Sequence, residues 1–160
     1  RNVQRELGYN KLDTPPEARK RKRRANKLPT IMCIEDRTRQ QNDLRNYFSR
    51  HGFRVLMLND LRRGLNRLGS NPPDCMVIMA ESVGKAAIPG FFEAINLRNG
   101  SPMVTILVLP EDQAERKEDI DETSTQKVLV QPVTLRELRD NITDGLSALT
   151  GSDSSQAIQI

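Results

Sequence analysis

Thr30-Ile31-Met32-Cys33-Ile34-Glu35-Asp36 is a short unbroken apolar run closed by two acids. A strand that is apolar on both faces belongs inside a covered sheet, so this stretch predicts a parallel strand flanked by helices. The period then changes: Leu44, Tyr47 and Phe48 stand at i, i+3, i+4, and the pattern stops at Gly52. Downstream the alternation repeats. Phe53 to Leu58 reads as a second strand, Leu61, Leu65 and Leu68 as a short helix ending at Gly69, and Cys75 to Met79 as a third strand. Residues 91–98 suit a helix that Asn99-Gly100 would terminate. Met103 to Leu109, the most apolar run, is a fourth strand, and Lys127 to Val130 a fifth. Residues 111–126 are highly charged with few apolar anchors, so a helix there is expected to be short or mobile. The last helix is the best signalled. Thr134 and Glu137 have capping-box spacing, and Leu135, Leu138, Ile142, Leu146 and Leu149 share one face.

Five strands alternating with four or five helices predict an α/β doubly wound parallel sheet with right-handed crossovers. Ligands in such folds sit at the carboxyl ends of the strands. The chain divides into residues 1–29, read as a basic linker or the end of an upstream region, a domain over 30–149, and a flexible tail over 150–160.

The charge is unevenly spread. Residues 1–29 hold ten Lys/Arg against three Asp/Glu, while residues 30–160 hold fifteen against eighteen. The run Arg19-Lys20-Arg21-Lys22-Arg23-Arg24 dominates the basic part. It reads as a solvated linker, a non-specific contact for nucleic acid or anionic lipid, or a localisation signal. No interleaved aromatics stand ready to stack on bases. Cys33 and Cys75 lie in apolar runs without metal-site spacing, and His51 is the single histidine, so buried free thiols in a cytoplasmic protein are expected. No apolar run approaches the ~18 residues that span a bilayer.

Three segments resemble the receiver domain of two-component response regulators. Ile31 to Asp36 looks like that family's first strand with its acidic pair, and Pro73-Asp74-Cys75-Met76-Val77-Ile78-Met79 looks like its third. Val128-Leu129-Val130-Gln131-Pro132-Val133-Thr134-Leu135-Arg136-Glu137-Leu138 resembles its fifth strand and the start of its last helix. The resemblance implies a flavodoxin-like fold with strand order 2-1-3-4-5. It also implies a phosphorylation cleft with an acceptor Asp, a Mg²⁺ ion held by carboxylates, a hydroxyl and a Lys.

In this sequence the cleft is degenerate. Glu35 and Asp36 match the acidic pair, but Met79 stands at the acceptor, Val108 or Leu109 at the hydroxyl, and Gln131 at the Lys. Neither Glu81 nor Thr105 is well placed to rescue it. No catalytic residue and no cofactor is therefore expected. Glu35 and Asp36 are read as structural acids at a helix start, with weak Mg²⁺ binding as the alternative. Gln131-Pro132 is a turn whose peptide bond is cis on the resemblance alone. The leading expectation is a non-enzymatic signalling module that docks a protein partner or a second copy through the face of the fourth helix, fifth strand and fifth helix. The alternatives are a receiver with an atypical acceptor, a sensor of a small neutral or aromatic ligand in the vacated cleft, and a nucleic-acid-binding regulator.

Overall fold

A computed structural model of the chain describes residues 28–83, 90–98, 100 and 102–159. The five apolar runs form strands β1 (Thr30–Ile34), β2 (Arg54–Leu58), β3 (Cys75–Met79), β4 (Val104–Leu109) and β5 (Gln126–Val130). They make one sheet in the order β2-β1-β3-β4-β5, and every neighbouring pair is parallel. This is the expected flavodoxin-like order. The helices are α1 (Thr38–Arg50), α2 (Leu61–Leu68), α3 (Phe91–Arg98) and α4 (Leu135–Gln159).

Successive strand residues point to opposite faces, so the continuous apolar runs feed two cores. Met32, Ile34, Met76, Ile78, Leu107 and Leu109 pack with Leu68 of α2 and Phe91, Phe92 and Ile95 of α3. Ile31, Cys33, Cys75, Val77, Ile106 and Val108 pack with Leu44 and Phe48 of α1 and Leu138 and Ile142 of α4. Burying each large aliphatic side chain contributes about 1.5–3 kcal/mol, so the central strands β1, β3 and β4 carry most of the stabilisation.

Local signals fix the ends. Gly52 turns the chain after α1 with φ of 87°, a conformation that costs glycine little. The Thr134 hydroxyl accepts a 3.0 Å hydrogen bond from the Glu137 N–H, as the capping-box spacing predicts. Asp60 does the same for α2, accepting from the Arg63 N–H at 2.9 Å.

The structure differs from the sequence expectations at three points. Residues Glu111–Asp119 are a 3-10 segment broken at Gln113. The face assigned to partner docking therefore has no α-helix at its fourth helical position; Gln113 is the one buried residue of that segment, too little to hold an amphipathic helix. Secondly, α4 continues past Leu149 to Gln159, where a flexible tail was expected, because each residue added to a formed helix gains a backbone hydrogen bond. Thirdly, no carboxylate caps α1. Its N-cap is Arg37, which makes no side-chain capping bond. The Arg19–Arg24 run lies outside the described residues.

Candidate functional site

Parallel register determines what meets at the carboxyl rim of the sheet. Ile34 pairs with Ile78, Met79 with Val108, and Leu109 with Val130. The residues next in line, Glu35-Asp36 after β1 and Gln131 after β5, therefore share one rim with Met79 and Val108. Met79 is half-buried and packs toward the α1–α4 core. Val108 lies on that same face beside it, whereas Leu109 points into the opposite core; of the two residues left open by the sequence, Val108 is Met79's neighbour. Gln131 is half-buried, and its N–H donates to the Leu109 carbonyl at 2.9 Å. The Gln131–Pro132 peptide bond is cis. Thr105 pairs with Met76, about 10 Å of strand away from the rim position of Val108.

The rim's electrostatics centre on a residue that the sequence analysis did not single out. Glu35 is fully buried, and Arg37 grips its carboxylate with a two-pronged contact: Nη2 to Oε1 at 3.0 Å and Nε to Oε2 at 3.2 Å. The Arg37 backbone N–H adds a third bond to Oε2 at 2.9 Å. Nη1 of the same guanidinium reaches Glu81 Oε2 at 2.7 Å. The hydrogen bond that Arg37 donates to Glu35, then the charges of Glu35, Glu81 and Asp36, push the Arg37 pKa further above its ordinary value. Ser82, in the 3-10 turn Ala80–Ser82, holds Asp36: its hydroxyl donates to Asp36 Oδ1 at 3.0 Å and accepts from the Asp36 N–H at 3.1 Å. Gln41 of α1 donates to the Glu35 carbonyl. The one signal for Arg37 in the sequence was its place directly after the acidic pair.

These donors do not fit the Mg²⁺ that the receiver resemblance implies. A hard divalent cation needs several oxygens converging on one point. Here both Glu35 oxygens and one of Glu81 are directed at a guanidinium, and Asp36 is engaged by a hydroxyl. Among the described residues no group of three or more His, Cys, Asp or Glu is arranged to hold a metal.

Beside this rim lies an open cleft of about 650 Å³ lined by Glu81, Pro110, Glu111, Asp112, Gln131, Pro132 and Val133. Three acids in that lining make it a poor match for the neutral or aromatic ligand raised by the sequence. The start of the 111–119 segment supplies two of these carboxylates, Glu111 and Asp112.

No family model and no curated protein matches this sequence. Solved structures do match. Full-length FixJ from B. japonicum aligns with a TM-score of 0.68 at 16% identity, over 83% of this chain and 64% of that one. A response regulator receiver protein from Sinorhizobium medicae gives 0.62 at 16% identity, over 76% of this chain and 96% of its own. A response regulator receiver domain protein from Clostridium thermocellum gives 0.60 at 16% identity, over 77% and 98%. At such identities the likeness is one of fold, and the fold is that of response regulator receiver domains.

Proposed function

We propose that this chain is a receiver-like signalling module that is not phosphorylated at the position usual for that fold and acts through protein contacts. One observation carries the reading: the rim position at the end of β3 is Met79, and its register partner is Val108. A thioether cannot serve as a carboxylate nucleophile, and an isopropyl group cannot donate a hydrogen bond to a phosphoryl oxygen. Gln131, at the head of the turn after β5, brings no positive charge to offset a bound phosphoryl group. An alternative acceptor, Glu81, has its carboxylate engaged by Arg37 at 2.7 Å. The two free, buried thiols suit a reducing, cytoplasmic setting.

The test is incubation with acetyl phosphate, and separately with beryllofluoride, in the presence of Mg²⁺. Intact-mass measurement is expected to give the unmodified mass, and ¹H–¹⁵N NMR spectra are expected to stay unchanged at Met79 to Ser82 and Val108. A stable phospho-adduct overturns the reading.

A further inference from the structure

Glu35 is a carboxylate without solvent access, and a buried ion of that kind persists only beside a counter-charge and donors for its oxygens. Arg37 supplies both from two residues away. Its remaining terminal nitrogen closes on Glu81, so one guanidinium joins the end of β1 to the turn after β3. We propose that Arg37 is the resident cation of this cleft: its guanidinium takes the place of a divalent metal ion, closes the acidic rim to Mg²⁺ and Mn²⁺, and holds the Ala80–Ser82 turn in one arrangement. The assignment rests on reading the cleft as a receiver-type site without an acceptor.

The chemistry favours such a substitution. A guanidinium stays protonated throughout the working pH range, and its planar fork matches a carboxylate at two points. Tethered two residues from Glu35, it is present at high effective concentration whatever the level of free metal. A hydrated Mg²⁺ ion gives up its water reluctantly and needs octahedral oxygens, which this rim spends on Arg37 and Ser82.

The test uses the full chain with Mn²⁺ as a paramagnetic probe in ¹H–¹⁵N NMR and thermal melts with and without Mg²⁺. In the wild type, ~10 mM Mn²⁺, above the usual range for protein cation sites, is expected to cause no selective broadening of the Asp36, Ala80 and Ser82 amides. Its melting temperature is expected to ignore Mg²⁺. Arg37→Met removes the charge and keeps an unbranched stem. That variant is expected to show selective broadening at those amides and a saturable rise in Tm with Mg²⁺, whereas Arg37→Lys remains indifferent. Selective broadening of the wild type overturns the proposal, and so does a folded Arg37→Met protein that ignores both ions. If Arg37→Met does not fold, the wild-type and Arg37→Lys spectra decide. Failure here is separable from failure of the functional reading: a phospho-adduct sinks the latter, while Mn²⁺ bound without an adduct sinks only the role of Arg37.

Discussion

Cys33 and Cys75 are free, fully buried and on the same face of the sheet. Burial pushes the Cys33 thiol up to about 12, with opposing effects from Arg45 and Glu35, and raises Cys75 well above its usual value. A native thiol pKa above the unfolded one means that the unfolded chain loses protons first as pH rises. Stability from these groups is therefore complete below the ordinary thiol pKa and declines as pH rises above it. Urea denaturation between pH 8 and pH 10.5 is expected to show this fall, and Cys33→Ala is expected to make it shallower. Below pH 8 the native thiols are expected to resist a thiol reagent that labels the unfolded chain at once. At this scale the site was half legible. Met79 and Gln131 could be placed directly, since the apolar runs before them set where β3 and β5 stop. Arg37 could not, because its role depends on where a flexible guanidinium lands among Glu35, Glu81 and Asp36.

Among the elements, α2 and α4 each lay a glycine against the sheet. A Cβ on Gly145 of α4 would stand 2.7 and 3.0 Å from the two methyl carbons of Val104. Val104 is fully buried and β-branched, so it has little freedom to yield. Gly145→Ala is expected to cost up to about 2 kcal/mol in urea denaturation, an overpacking penalty of ~1–3 kcal/mol less the ~1 kcal/mol gained in helix propensity. At Gly64 of α2 the added carbon would meet Ile34 Cδ1 at 2.8 Å, Met76 Cε at 3.0 Å and Met32 Sδ at 3.2 Å. Those are ends or near-ends of flexible chains, so Gly64→Ala is expected to cost less than Gly145→Ala. An equal or larger loss at Gly64 contradicts this account. The elements themselves were legible because each is amphipathic or wholly apolar. The 111–119 segment was less so, since its charged residues specify no face and its backbone follows β4, β5 and the single buried Gln113.

For the molecule as a whole, both cores draw, among the described residues, on positions between Ile31 and Leu149. At the β5 edge the Glu122 carboxylate accepts the Val128 N–H at 2.8 Å, satisfying a backbone donor that would otherwise invite another strand.

The sequence by itself determined the parallel sheet and the absence of a carboxylate at the end of β3. Both follow from residue type and period, which are local properties of the chain. Only the tertiary structure decided that Val108 rather than Leu109 neighbours Met79, that α4 runs on to Gln159, and that Arg37 bridges Glu35 and Glu81. Those outcomes depend on register, on helix propagation and on side chains from separate strand ends meeting at one rim. Spacing along the chain does not encode such meetings.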